Sequence, residues 1–427
     1  MAMISLPRSF APLLSLRRLL LALCWMAWAF MFVKYVLILP YIFPGVDFPK
    51  HHRAAVEIIH GRSPFTGRNF LGFNYPLFTA WVYSFLAPLS EAQAKIVWDV
   101  TNGILLLASL ALLVCFHRPC FDQAGASVNA AERDSLAWRT RRWWARHWPS
   151  LAALMMAAYA PIFMDFHCGN VEPLNVILLI ALSAAMLRGA ERTAGVLLAI
   201  LCLVKILPVL FILPFAVAGK RRVVWYCIGS LGLYGAVLLA TGWWRWEWFL
   251  FTQTLPNVGF QYHGLSSSLT SIAGRMFFFE LMKSKAAYDL ASRVVAAGAL
   301  GLDLAILAAS WRAWRASWRD GLSVMSLSIL LMTPLLEYHH IVWALPAYLL
   351  LFVDYIEGRI GARFFAWALA LWLAIFACRY LAEISIHYRF PPRDAATLLL
   401  IVLWLSTAAR IVCKQSRRRD EITRFPS

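Results

Sequence analysis

Apolar residues along this chain come in long runs, not in the alternation of strands or the narrow stripes of soluble helices. The first run, Leu19 to Ile42, is long enough to cross a bilayer as a helix. Further runs follow at Lys95 to Phe116, Ser150 to Asp165, Pro173 to Leu187, Val223 to Thr241, Ala286 to Ser310, Gly321 to Leu336, Ile341 to Tyr355, Phe364 to Ile384 and Ala395 to Cys413. Two stretches depart from this pattern. From Asn74-Tyr75-Pro76 to Leu89 the apolar run is short for a span and reads as a juxtamembrane or re-entrant segment. Thr193 to Ala218 is one apolar run, but Lys205 and Pro208 interrupt it and both its ends are basic: Arg188 and Arg192 before, Lys220, Arg221 and Arg222 after. A single crossing would leave one basic end on the wrong side. A hairpin of two short or broken helices, turning near Lys205 to Pro208, is therefore expected.

The polar intervals sort by side. Arg8, Arg17 and Arg18 precede the first run, which is too long for a signal-peptide core and reads as a retained anchor with the N-terminus in the cytoplasm. Alternating sides from there puts every strongly basic loop on one face, including residues 117–148, Trp311 to Arg319 and the tail from Lys414. The other face receives Asp47, Asp165, His167, Glu172, Asn257, His263, Glu337, His339 and His340. In residues 117–148, Arg133, Arg139, Arg141, Arg142 and Arg146 interleave with Trp138, Trp143, Trp144 and Trp148, as in a headgroup-level belt whose charges set topology.

Composition agrees. The 427 residues are 61% hydrophobic and 15% charged, which excludes a soluble domain and leaves little material outside the bilayer. The net charge of +18 lies in short loops between apolar runs, so it argues for anionic lipid and against nucleic acid. The eight cysteines are scattered with no CxxC pair, so neither a disulfide framework nor a zinc site is indicated. The reading is an all-α polytopic membrane protein, one domain over 1–427, with about 10–13 transmembrane or broken helices. Its extracytoplasmic segments are 43–92, whose Pro49 to Gly61 suits an interfacial helix, and 242–285.

The candidate chemistry lies on the extracytoplasmic face. Asp47 is the first acid of the chain, where a helix leaves the membrane. A carboxylate there suits general-base work, and Asp47 before Phe48-Pro49 equally suits a helix N-cap. Gly169-Asn170 fits either a tight turn or a binding element. The loop from Asn257 to Arg275, with His263, is rich in the hydroxyl, amide and aromatic groups that recognise sugars, although its tryptophans also suit an interfacial belt. Thr333 to His340, with Glu337, places adjacent His339 and His340 at the mouth of a span, where they suit anion binding better than one shared metal. Lys205, an intramembrane cation, is either functional or paired with a core acid.

With these residues in view, the chain resembles glycosyltransferase family 87 of the GT-C membrane superfamily, the polyprenyl-phosphate-sugar-dependent mannosyltransferases and related arabinofuranosyltransferases. Asp47-Phe48 with Gly61-Arg62-Ser63-Pro64-Phe65 resembles the family's aspartate after the first span and its short Gly-x-x-Pro-Tyr-like element. Asn74-Tyr75-Pro76-Leu77 through Pro88-Leu89 resembles its Y-P-P-L … P-L stretch with one Pro missing. Gly169-Asn170 with Asn175, Gly195 and Lys205 to Pro208 resembles G-Q-x-N … G … K-x-x-P, with Asn170 where Gln is usual. Thr333-Pro334 to His339-His340 resembles S-P-x-S-W-x-H-H. The long-loop N-Q-S element is matched only loosely by His263 to Ser268.

The resemblance implies a GT-C-type bundle in a bacterial inner membrane with its active site toward the periplasm or cell exterior. It implies inverting transfer of a sugar, mannose first, from a polyprenyl-phosphate donor to a hydroxyl of a glycolipid or glycan acceptor. Asp47 would be the catalytic base, and His339, His340 and Lys205 would meet the donor phosphate. Tyr75, Asn170, Asn257, His263 and Glu337 would meet substrate. No cofactor is called for, and a divalent ion is neither required nor pointed to. The alternative from another class is a membrane transporter or lipid flippase, which a broken span with an intramembrane Lys also fits. Polar groups gathered at one face and the lack of an evident repeat favour the enzyme.

Overall fold

The computed structural model describes residues 11–38, 45, 47–65, 73–126, 136–158, 169–255, 268–272, 284–333, 338–384 and 392–424. Among the described residues the regular elements are all helical. They are α1 (Ala11–Phe32, continued by a π-helical turn at Val33–Ile38), α2 (Phe48–Ile59), α3 (Leu77–Val82), α4 (Glu91–Ala126), α5 (Leu136–Arg146), α6 (Trp148–Ala158), α7 (Glu172–Leu187) and α8 (Glu191–Val204). After a 3₁₀ segment at Leu207–Phe211 come α9 (Ile212–Val217), α10 (Arg221–Thr241), α11 (Trp244–Phe249), α12 (Lys285–Ala309), α13 (Trp311–Ala316) and α14 (Trp318–Met332). A second 3₁₀ segment, Tyr338–Ala344, leads into α15 (Leu345–Ile356), α16 (Ala362–Ile384) and α17 (Pro392–Arg424).

Among the described residues five helices are long and apolar enough to cross a membrane: Leu21–Ile38, Glu91–Cys115, Arg221–Thr241, Lys285–Ala309 and Asp394–Cys413. Shorter apolar helices, such as Glu172–Leu187 and His340–Ile356, fill the space between them. α14 from Asp320 to Leu331 and α15 throughout are buried all round, which explains why their sequences are apolar without a stripe. α7 packs on α4, α8 and α15, and α14 packs on α12, α15 and α17, so these three helices form the axis of the bundle.

Ion pairs and close contacts gather the basic loops at one end. Lys220 lies 2.8 Å from Glu191, Arg410 lies 2.9 Å from Asp320, and Arg319 bridges Asp354 at 3.2 Å and Glu357 at 2.7 Å. Arg141 lies against Gly358, and a Cβ on Gly321 would strike Pro214 and Trp314, which ties the ends of α5, α9, α13, α14 and α15 together. The long polar stretch of the sequence is partly helical here: α4 runs on into it, and α5 carries its arginines.

The interrupted run at 193–218 does double back. Lys220, at the start of α10, pairs with Glu191 at the start of α8, so the chain has returned to its starting side. α8 and α10 therefore run parallel. Gly195 lets them touch: a Cβ there would lie 2.5 Å from the Val223 carbonyl and 2.7 Å from Tyr226 Cβ. The fourteen residues of α8 span about 21 Å, short of the ~30 Å hydrocarbon core. The break itself is chemical. Lys205 is extended, and Pro208 has no N–H to offer the Val204 carbonyl four residues earlier. Thr79, from the re-entrant α3, donates to that carbonyl instead, Oγ1 to O 3.0 Å. The N-terminus of α3 is satisfied in turn by Glu247, whose Oε1 accepts from the Leu77 N–H at 3.2 Å and from Tyr234 at 2.9 Å.

Candidate active site at the mouth of the bundle

The end opposite the basic loops has its own apolar cluster, built from Phe48, Ala55, Phe73, Tyr75, Tyr83, Trp98, Val171, Val204 and Leu238 among others. α2 lies across it. Asp47 stands at the position of the α2 N-cap, yet its side chain makes no capping hydrogen bond. Its carboxylate turns elsewhere. Oδ1 meets Lys50 Nζ at 2.8 Å, and Oδ2 faces Asn170 Nδ2 at 3.5 Å. The geometry thus separates the two roles the sequence left open.

Asn170 is held in a fixed orientation. Its Oδ1 accepts from the Tyr75 hydroxyl at 2.9 Å and from the Val171 N–H at 2.9 Å, which leaves the amide N–H₂ toward Asp47. The turn that delivers it requires glycine. Gly169 has φ +74°, and a Cβ there would lie 2.6 Å from Phe48 Cβ, so no side chain fits between the turn and α2. Tyr83 fastens the same turn by donating to the Gly169 carbonyl at 3.1 Å.

Below Asn170, at the start of α7, Glu172 is fully buried. Lys205 at the break of α8 forms an ion pair with it, and Asn175 donates to its other oxygen at 2.8 Å. Lys205 also lies over the Tyr75 ring, 5.7 Å from its centroid, with Lys50 at 5.8 Å. Lys205 is therefore already paired with a core acid in this structure.

His51, one helical turn after Asp47, is completely buried. Its ring stacks on Tyr83, centroids 4.6 Å apart and planes within 3°, and it touches Tyr75 and Phe73. Neither ring nitrogen makes a well-formed hydrogen bond. Burial pushes its pKa well below the usual histidine range, and the charges of Lys50 and Lys205 push the same way, opposed by the nearby Asn170 amide. Glu247, buried beside α3, has its pKa raised by that burial.

The structure thus joins Asp47, Tyr75, Asn170 and Lys205 in one network. His340 is buried in the 3₁₀ segment that packs on α7 and α14. Asn257, His263 and Glu337 lie outside the described residues, as do Asp165, His167 and the side chain of His339. Lys50 and His51 belong to the network without having been singled out from sequence. Their spacing, three and four residues after Asp47 on a helix, was the available signal. Glu172 stood among the residues of that face, but its partner depends on the break in α8.

This fold and this site define a multi-pass α-helical membrane protein with a carboxylate-centred polar network recessed at one end. The family model of glycosyltransferase family 87 matches residues 73–336, and the chain belongs to that family: it is a membrane glycosyltransferase. No curated protein matches the chain. The matched span contains Tyr75, Asn170, Glu172 and Lys205, whereas Asp47 precedes it.

Proposed function

We propose that the protein transfers a sugar, mannose first, from a polyprenyl-phosphate donor to an acceptor hydroxyl at the extracytoplasmic face of a bacterial inner membrane, with inversion and with Asp47 as general base. One observation carries the assignment of the base. Asp47 keeps 20% of its side chain open, while Glu172 and Glu247 in the same region are buried and engaged. A base must reach the proton it takes, and of these three carboxylates only Asp47 offers a free approach. Asn170 and Lys50 hold that carboxylate from two sides, so a hydroxyl arriving from the open side meets a fixed acceptor. The leaving phosphate already carries its charge, so cationic partners suffice on the donor side. His340, and His339 beside it, are the partners proposed. Lys205 would serve the phosphate only through its Glu172 pair, as part of the local field. Tyr75, Asn257, His263 and Glu337 are proposed to meet the acceptor or the sugar.

The test is transfer of label from polyprenyl-phosphate mannose to a cell-lipid acceptor extract by purified protein in lipid. Asp47→Asn should abolish transfer while the protein still folds and binds donor. Unaltered turnover in that variant would remove Asp47 from the chemistry. If wild-type protein fails with mannose but succeeds with polyprenyl-phosphate arabinose, the sugar is wrong and the reaction class stands.

A further inference from the structure

The basic end carries charge that the helix packing does not use. The carboxylates Glu191, Asp320, Asp354 and Glu357 are each held there by a specific cation, and Arg359 adds a second contact to Glu357 at 2.8 Å. α5 is different. Arg139, Arg142 and Arg146 stand at i, i+3 and i+7, on one face of the helix, and all three are exposed. None has a carboxylate at ion-pair distance among the described residues, and Arg142 rests over the Trp138 ring at 5.4 Å. Arg141 points the other way: its guanidinium lies against Gly358 and over the Tyr355 ring at 5.8 Å. Trp144 meets Phe352 and Phe365 edge-on. α5 is thus pinned by its inner face and holds three guanidiniums outward.

Beside its inner face lies an apolar groove of about 90 Å³ between α6 and α16, floored by α15. Trp144, Leu151, Met155, Phe352, Ala368 and Leu369 line it. A single water needs only about 10–15 Å³, so the groove has room for a run of methylenes. Tyr348, 6% exposed, also lines it, and its hydroxyl has no hydrogen-bond partner. Trp144 of the groove sits two residues from both Arg142 and Arg146. Long arginine stems can therefore reach round the helix edge to a headgroup whose chain occupies the groove.

We infer that this end binds an anionic phospholipid, with one acyl chain in the groove and the headgroup phosphate held by Arg139, Arg142 and Arg146. Guanidinium forks match phosphate oxygens, and the three lack a competing protein carboxylate. A soluble anion would leave the groove empty. A zwitterionic lipid would bring its own cation against the arginines. The site lies at the opposite end from Asp47, so it stands independently of the transfer reaction proposed above.

Native mass spectrometry of the full-length protein in detergent, titrated with phosphatidylglycerol or phosphatidylcholine, tests this. Wild type should retain phosphatidylglycerol at about tenfold lower lipid concentration than phosphatidylcholine. The triple variant Arg139→Gln/Arg142→Gln/Arg146→Gln should lose that preference, and the triple Arg→Lys variant should keep part of it. Leu369→Trp, which fills the groove, should lower retention of both lipids. Insertion direction has no bearing in detergent, so a loss of preference there cannot be a topology effect. Equal retention of the two lipids by wild type, an unchanged preference in the triple Gln variant, or complete displacement of the lipid by millimolar inorganic phosphate would each overturn the inference. Should the Gln variant not fold, an unchanged preference in the Lys variant together with unchanged retention in Leu369→Trp would do the same.

Discussion

Asn170 faces Asp47 with its amide nitrogen, 3.5 Å from Oδ2, because Tyr75 and the Val171 N–H have already taken its oxygen. The acid lies on the first loop and the amide on a turn between two distant helices, yet one orients the other. Asn170→Ala should lower kcat by about a hundredfold with a smaller change in KM, as expected when a reacting group loses its alignment. Tyr75→Phe should do less, since the Val171 N–H still holds the amide. Steady-state kinetics separates the two. A pure KM effect in Asn170→Ala would assign the amide to substrate instead.

The Glu172–Lys205 pair is buried, so removing one member leaves a charge with no partner. Glu172→Gln should destabilise the protein by about 3–5 kcal/mol, and the double variant Glu172→Leu/Lys205→Met should recover much of that. Thermal unfolding in lipid nanodiscs measures both. If the double variant regains stability and activity together, Lys205 has no part in donor binding. If stability returns and activity does not, the pair supplies something the reaction needs.

Gly195 sits where α8 and α10 run side by side. Gly195→Ala should push the helices apart at a cost of about 1–3 kcal/mol. Gly298 on α12, which has open space around it, is the control position. Similar losses from both alanines would show that the close approach is not what matters.

His51 gives a pH signature. Its folded pKa is depressed, so below about pH 6.5 the unfolded chain binds a proton that the folded chain resists. Stability from this group is complete above that pH and declines as pH falls, by up to about 1.4 kcal/mol per unit until the folded pKa is reached. Apparent Tm should therefore drop between pH 7 and pH 5, and His51→Phe should flatten the slope. An equal slope in the variant would place the titration on another group.

The sequence carried the membrane class, the sorting of charge between the two ends and the break at Lys205, because each depends on local chemistry: apolar length, loop arginines, and a proline beside a buried cation. It carried Asp47 for the same reason, as an acid at a helix exit. What it did not carry is tertiary. His51-His52-Arg53 reads as an interfacial basic run, and only the stacking on Tyr83 reveals that the first of these is fully buried. Glu247 sits in a tryptophan-rich segment that reads as an interfacial belt, yet it closes the N-terminus of α3. Asn170 reads as a turn residue, and its tie to Asp47 exists only once Gly169 brings the turn against Phe48.

The doubling back at Lys205 also governs the arithmetic of topology. A segment that enters and leaves by the same face adds no net crossing, so every helix after it keeps the direction it would have had if residues 193–218 were absent. Repairing the interruption with Lys205→Leu and Pro208→Leu would turn an even element into an odd one. The cost would then fall far from the substitutions: α10 and each later helix would have to insert upside down, or one would have to stay out. One lysine and one proline thus fix the handedness of the downstream half of the chain relative to the bilayer.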